Sequence, residues 1–316
     1  MGKNPNFPAD LDIRPLVNAT TNDSSDADRN FNASAQEEAI REYGIAGRVW
    51  EAAYAMTAYL QPPKDLTYDP IFHSTSGPSW IIELGSGTGI VAAQIAEHLA
   101  GKDLVIATDL PEVCPLLERN LQQYIALQES SIPTVLVRPL SWGNHDDTLR
   151  IHEEILHNQQ TSLYGAAFTH IICSDLVYFP ELLAPLLRTL LHLTSPLFVP
   201  QHAPQPKVII SYKIRSLAKE TPFWSAFGLW FTYEPVLEKC KVPSDQNYLG
   251  EWRRFGTSFG SDMFIFVARR RPESLEWSVP ETDGELLEGV GAWGSNSRKG
   301  DGTFESLLLM SVDVED

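Results

Sequence analysis

Cysteine is scarce in this chain of 316 residues, which holds only Cys114, Cys173 and Cys240. An odd count at wide spacing gives neither a disulfide framework nor a zinc site, and it favours a reducing compartment, the cytoplasm or nucleus. No apolar run is long enough to span a membrane, and the polar N-terminus lacks the apolar stretch of a signal peptide. The eight histidines show no ligand spacing, so we predict no metal.

Basic residues are also in short supply. Lys and Arg number 24 against 41 Asp and Glu, which gives a net charge of -17. The chain therefore lacks the basic footprint of a nucleic-acid-binding protein, and we do not expect a nucleic acid partner. A negative surface would instead steer basic partners toward the protein.

Short apolar runs alternate with amphipathic stretches through the middle of the chain. Helical patterns at residues 89–99, 114–128 and 181–192 lie between these runs. Such alternation predicts an α/β fold with a mostly parallel sheet and helices on both faces. The last two runs have no long helix between them and suit an antiparallel pair. The runs are residues 80–84, 104–108, 134–137, 168–174, 207–211, 230–237 and 263–269.

Composition divides the chain into three parts. Residues 1–35 are rich in Asn, Asp, Ser and Pro, and we predict an N-terminal arm. Residues 36–271 form the predicted main domain, beginning with a stretch that becomes helical toward residue 60. Residues 272–316 hold eleven acidic and two basic residues, which favours a solvated acidic tail, although its tryptophans and leucines are unusual for disorder.

The most informative motif is a glycine loop that follows an apolar strand and opens a helix. It comprises Glu83, Gly85, Ser86, Gly87 and Gly89. Glycines let the chain turn sharply and let a ligand approach the backbone, and the helix N-terminus adds free N–H groups. The GxGxG spacing differs from the GxGxxG of dinucleotide enzymes. The shorter loop with an acidic residue before it suits S-adenosylmethionine, a cationic ligand without phosphates.

Two further features occur in the order that a nucleoside cofactor needs. Asp109, followed by Leu110, ends the second strand, where a carboxylate can accept both ribose hydroxyls. Trp142 follows the third strand, where its indole can lie over an adenine. The three features together favour a cofactor site over a purely structural glycine turn.

With these motifs the sequence resembles a known family. Residues 44–269 are similar to the family 16 group of seven-strand methyltransferases, which includes many protein-lysine methyltransferases. The resemblance implies a Rossmann-like sheet of order 3-2-1-4-5-7-6 with the seventh strand antiparallel. The sequence departs from the family at Ser141, where an Asp is usual. The stretches that carry it are residues 47–53, 83–89, 140–143 and 174–178.

The resemblance also assigns roles to individual residues. The family's Asp-x-x-Tyr signature falls on Asp175 and Tyr178, with Ser174 just before it. Its cofactor-contacting tryptophans fall on Trp50 and Trp142. Asp175 would then accept a hydrogen bond from the amine, and Tyr178 would form a wall of the pocket. Spacing alone leaves two alternatives open: a turn-capping Asp and a core Trp50.

The acceptor stays open at this stage. A protein lysine leads, and for such an acceptor we expect an open acidic groove around Asp175. A small-molecule acceptor and a cofactor-binding protein without catalysis are alternatives, because fold does not choose among them. A nucleic acid acceptor is disfavoured by the lack of basic charge and by the absence of a Pro-Pro pair after Asp175. Translation factors and chaperones are substrate classes that the resemblance implies. Separately, we expect the protein to be a monomer.

Overall fold

The fold combines one seven-stranded sheet, one small sheet and ten α-helices among the residues that the structure describes. It is a computed structural model that describes residues 6–8, 11–16, 30–72, 77–98, 103–126, 134–157, 167–200, 203–241, 251–256, 259 and 262–310. The helices are α1 Ala33–Tyr43, α2 Glu51–Leu60, α3 Ile90–His98, α4 Cys114–Asn120, α5 Gln122–Ala126, α6 His145–Ile151, α7 Pro180–Leu193, α8 Leu217–Trp230, α9 Asp283–Leu287 and α10 Thr303–Met310. The strands are β1 Leu66–Asp69, β2 Trp80–Leu84, β3 Leu104–Asp109, β4 Thr134–Pro139, β5 His170–Ser174, β6 Lys207–Lys213, β7 Phe231–Pro235, β8 Leu237–Cys240, β9 Arg253–Arg254 and β10 Met263–Arg270.

The large sheet has the strand order β4-β3-β2-β5-β6-β10-β7. Its first five members are parallel, and β10 runs antiparallel to both β6 and β7. Numbered within this sheet alone, the order is 3-2-1-4-5-7-6, so the predicted topology is confirmed. The order reverses direction at β2 and β5, and open α/β sheets bind ligands in the crevice at such a switch point.

Both faces of the sheet are buried, as a parallel sheet requires. Side chains alternate along each strand: Ile82 packs into one core layer and its neighbour Ile81 into the other. Helix α7 contributes to the first layer and α3 to the second. The prediction of helices on both faces is therefore confirmed.

Helix α8 was missed by the sequence analysis. It is buried on nearly every side, and its own buried residues include Phe223, Trp224, Phe227 and Trp230. A helix that is apolar all round shows no amphipathic period. The predicted strand 230–237 begins one residue early, because Trp230 is the last residue of α8. It divides into β7 and β8, which join different sheets.

The C-terminal segment is folded onto the domain, so the prediction of a solvated tail is wrong for residues 272–310. Leu286, Ala292 and Phe304 are fully buried in the main core. The ring of Phe304 stacks on Trp224, with centroids 5.0 Å apart. Arg188 of α7 donates to the carbonyl of Pro280 at 2.7 Å. The high net charge of the segment suggested that it is solvated, but a few of its apolar residues are buried and anchor it.

The N-terminal part also differs from a free arm. Helix α1 begins at Ala33, capped by the side chain of Asn32. Gln36 is buried, and its side-chain amide makes two hydrogen bonds with the backbone of Leu16. The N–H of Leu16 donates to Oε1 at 3.1 Å, and Nε2 donates to the carbonyl of Leu16 at 3.0 Å. Asn6 accepts a hydrogen bond from the Ile45 N–H at 2.8 Å. These segments therefore belong to the folded domain.

A small antiparallel sheet of β1, β8 and β9 completes the fold. The sequence analysis did not predict it, because its strands are only two to four residues long. In the described ranges, no helix has the length and apolar character needed to cross a membrane.

Candidate active site

The glycine loop joins β2 to α3 at the carboxyl edge of the sheet. Gly85 and Gly87 have φ values of 57° and 54°, in the left-handed region that favours glycine. A Cβ at Gly85 would lie 2.8 Å from Leu176 and 2.9 Å from Trp142. The loop backbone thus lies against the segment after β4 and the segment after β5, which lets three strand ends meet around one space.

Asp109 is held by the same loop. The N–H of Gly87 donates to its Oδ2 and the N–H of Leu110 to its Oδ1, both at 2.8 Å. Burial raises the pKa of Asp109 to about 6, although these two hydrogen bonds oppose the rise. Each oxygen accepts one backbone hydrogen bond and retains capacity for a second, as a carboxylate that receives a pair of hydroxyls requires.

Glu83 is a deeply buried carboxylate of the site, at 1% exposure. Its Oε2 has no hydrogen-bond partner among the described residues. Burial raises its pKa to about 8, and the negative charge of Asp109 adds to the rise, while a hydrogen bond with Ser86 opposes it. A buried carboxylate with an unsatisfied oxygen favours a cationic ligand.

Trp50 lies at the N-terminus of α2 and is partly buried. Its Nε1 donates to the carbonyl of Ile45 at 3.0 Å, and the guanidinium of Arg48 lies 4.2 Å from its ring centroid. The indole lines a cavity rather than filling the core, so the alternative of a core tryptophan is not what the structure shows.

One cavity of about 520 Å³ brings nearly all of the predicted residues together. Gly89 is the exception: it does not line the cavity, and a Cβ there would meet Leu117 at 3.0 Å and Leu121 at 3.3 Å. Its part is to let α3 pack closely on α4. The predicted residues that line the cavity are Trp50, Glu83, Gly85, Ser86, Gly87, Asp109, Leu110, Trp142, Ser174, Asp175 and Tyr178.

Asp175 follows β5 and is held in a rare backbone conformation. Its φ is 63°, which few residues other than glycine adopt. Its N–H donates to the carbonyl of Ser211 at 2.9 Å, and the side chain is 2% exposed. Backbone strain of this kind concentrates at functional sites. A turn-capping Asp tolerates this φ value, but capping alone does not account for the burial of its carboxylate against Arg215.

Arg215 is the residue that the sequence analysis missed. Its two terminal nitrogens donate to the two oxygens of Asp175, each at 2.5 Å. Burial lowers the pKa of Arg215, but the bonds to Asp175 outweigh that effect and the pKa lies above its ordinary value. The position was open to prediction, because Arg215 stands just after β6 at the edge where Asp109 and Asp175 end their strands.

Further charged groups surround this pair. Glu51 on α2 lies 3.4 Å from Arg215, 3.0 Å from Arg48 and 3.7 Å from Lys213. Both carboxylates and cations therefore line the cavity near Asp175, and the acidic groove expected there stays a prediction.

Tyr178 supplies an aromatic wall close to Asp175. Its ring packs edge-on against Phe179, with centroids 4.7 Å apart. Burial raises the pKa of Tyr178 above its ordinary value, and the charges of Asp109 and Asp175 add to the rise. The phenol therefore stays protonated at neutral pH and can donate a hydrogen bond.

Comparisons with known proteins agree with this geometry. The profile of a family described as lysine methyltransferase matches residues 33–227, more than half of the chain. The chain belongs to the lysine methyltransferase family. The order of its strands and the place of its glycine loop are thus those of an enzyme family, as the resemblance predicted.

Individual relatives support the assignment. The chain is 29% identical over 196 residues to Protein N-lysine methyltransferase METTL21A of Xenopus tropicalis, covering 62% of this chain and 73% of that protein. It is 30% identical over 218 residues to Protein-lysine N-methyltransferase EFM6 of Saccharomyces cerevisiae, covering 66% and 79%. A solved structure, the predicted O-methyltransferase Atu636 of Agrobacterium tumefaciens, gives a TM-score of 0.38 at 15% identity over 68% of this chain and 80% of that one. The fold assignment rests on the sheet order rather than on that low score.

Proposed function

We propose that this protein transfers a methyl group from S-adenosylmethionine to the side-chain amine of a lysine in a protein substrate. The observation that carries the proposal is a single cavity that contains both the carboxylates Glu83 and Asp109 and the pair Asp175 and Tyr178. The first pair suits a cationic nucleoside, and the second suits an amine. Membership of the lysine methyltransferase family supports joining these two ends in one reaction.

The residues present fit S-adenosylmethionine. Glu83 has a buried oxygen without a partner among the described residues, which suits the amino group of the cofactor. Asp109 would accept hydrogen bonds from the ribose hydroxyls, and the glycine-loop N–H groups would donate to the carboxylate of the cofactor. The indole of Trp142 would lie over the adenine. When bound, the cofactor supplies an electrophilic methyl group on a sulfonium.

The acceptor end needs an amine with a free lone pair. A lysine is ordinarily protonated, so the site must bind the neutral form or help to remove a proton. The aromatic wall of Tyr178 and Phe179 excludes water and lowers the pKa of an amine beside it. Asp175 orients the nitrogen by accepting an N–H hydrogen bond, and positioning of this kind supplies much of a methyl transfer rate.

The substrate and setting are also part of the proposal. Both named relatives are protein-lysine methyltransferases, which supports a protein acceptor, and translation factors and chaperones are the classes that the resemblance implies. The three cysteines are unpaired thiols, which suits a reducing compartment, the cytoplasm or nucleus. We take the enzyme to act as a monomer.

A labelling experiment tests the proposal. Wild type, Asp175→Asn and Asp283→Asn would be incubated with methyl-labelled S-adenosylmethionine and a lysate lacking this protein. Asp283 is the matched control, because it pairs with Arg188 at 3.1 Å but is 57% exposed and lies in the C-terminal segment. Label in a protein band, recovered as methyl-lysine after acid hydrolysis, is expected for wild type and Asp283→Asn and not for Asp175→Asn. Label confined to small molecules or nucleic acid would refute the protein acceptor, and cofactor binding without any transfer would refute catalysis.

A further inference from the structure

The carboxylate that faces the acceptor is already neutralised by a cation of the protein itself. Arg215 holds both oxygens of Asp175 at 2.5 Å, a bidentate arrangement that is among the strongest ionic contacts in proteins. The Asp175 side chain is 2% exposed and the Arg215 side chain is 29% exposed. An incoming amine therefore meets a compensated ion pair and not a free negative charge.

The guanidinium is fixed in place from several sides. The backbone N–H groups of Arg215 and Ser216 donate to the buried carboxylate of Glu220 at 3.2 and 2.9 Å. Glu220 also accepts from the Tyr212 hydroxyl at 2.5 Å. One nitrogen of Arg215 donates to the Lys213 carbonyl at 3.2 Å. These contacts keep the cation beside Asp175.

We infer that Arg215 makes the acceptor site selective for the neutral amine and disfavours the lysine ammonium ion. This inference rests on the proposed function. A second cation within contact distance of Asp175 would lie close to the guanidinium, and like charges at such distances repel strongly in a buried site. A neutral amine meets no such repulsion and can donate an N–H to the remaining lone pairs of Asp175. Arg215 acts through Asp175 and is a specificity-determining residue.

The remaining charges around the pair are of both signs, and the charged side chain bonded directly to Asp175 is that of Arg215. Glu51 offsets one cation, but it is shared among three. Glu220 is occupied by backbone donors and a hydroxyl. The charged or titratable groups that face Asp175 or its partner from neighbouring elements are Arg48, Glu51, Asp109, Tyr178, Glu181, Lys213, Arg215 and Glu220.

The inference predicts where the pH dependence of the reaction lies. If only neutral lysine binds, KM falls about tenfold for each pH unit between pH 7 and 9, since the amine titrates near 10.4. The value of kcat then stays constant, because every bound substrate has its lone pair. If the ammonium form binds as well, KM is flat and kcat rises with pH instead.

The test compares wild type, Arg215→Met and Arg215→Lys on the labelled protein recovered in the preceding experiment. Cofactor is kept saturating at each pH, so that titration of Glu83 does not enter. We expect the pH dependence in KM for wild type and for Arg215→Lys, which keeps the charge. In Arg215→Met we expect it to move to kcat, with KM at pH 7 at least about tenfold below wild type.

Each outcome decides the matter. A wild-type KM that does not change with pH overturns the inference even if Arg215→Met fails to fold. An Arg215→Met enzyme that folds and keeps the wild-type division between KM and kcat also overturns it. Absence of any methylated lysine with wild type would instead refute the proposed function, so the two failures are distinguishable.

Discussion

Replacement of Glu83 by glutamine removes a buried ionisable group while keeping the shape of the side chain. Glu83 has a pKa of about 8 in the folded protein because of burial, whereas an unfolded glutamate titrates near 4.3. The folded state therefore favours the protonated form. Stability from this group is fully present below the unfolded pKa and is lost as the pH rises through about 8.

The size of the effect follows from linkage. One unit of pKa difference corresponds to about 1.4 kcal/mol, so wild type loses about 3 kcal/mol of unfolding free energy between pH 5.5 and 8 through Glu83. Glu83→Gln lacks this loss. Asp109 is present in both proteins, so the comparison of their pH slopes removes most of its contribution.

Urea unfolding without cofactor at pH 5.5, 6.5 and 8 measures this difference. Glu273→Gln, at an exposed position in the C-terminal segment, is the matched control and should follow wild type. S-adenosylhomocysteine, which keeps the amino group of the cofactor, should stabilise wild type at pH 8 more than Glu83→Gln. Parallel pH profiles for wild type and Glu83→Gln would refute the reasoning.

Three further predictions concern the loop, the ribose site and the C-terminal segment. Asp109→Asn should weaken S-adenosylhomocysteine binding about 10- to 100-fold by calorimetry, because a charged acceptor is lost; unchanged affinity would contradict the assignment. Gly87→Ala should destabilise the fold by about 1–2 kcal/mol and weaken binding, because φ is 54° and its Cβ would lie 3.0 Å from the Ala46 carbonyl oxygen; a thermal melt checks this, and an unshifted melting temperature would contradict it. Phe304→Ala should cost about 3–5 kcal/mol in urea unfolding, because the ring is fully buried against Trp224; a cost below about 1 kcal/mol would mean that the segment is dispensable.

The sheet and the cofactor end of the site were predictable from local patterns. Parallel strands end at one edge, so residues placed just after apolar runs, such as Asp109 and Asp175, had to lie near each other. The glycine loop could be recognised because its spacing reflects backbone geometry that only glycine adopts easily. The same edge argument applied to the strand before Arg215 would have found that residue.

Other features depended on packing that the pattern does not encode. Helix α8 is buried on nearly every side, so it carried no amphipathic period. The C-terminal segment was judged by its charge, although Phe304 and Leu286 anchor it in the core. The net charge of the chain likewise does not say where Arg48, Lys213 and Arg215 gather around Glu51. Distribution of charge is a tertiary property.

The most direct measurement separates cofactor binding from transfer in Asp175→Asn. The proposed function assigns Asp175 to the amine and not to the cofactor, so this variant should bind S-adenosylhomocysteine with wild-type affinity by calorimetry. Its transfer of labelled methyl to protein lysine should fall by at least about 100-fold. Wild-type transfer by Asp175→Asn, or loss of cofactor binding in step with loss of transfer, would contradict the assignment of this residue to the amine.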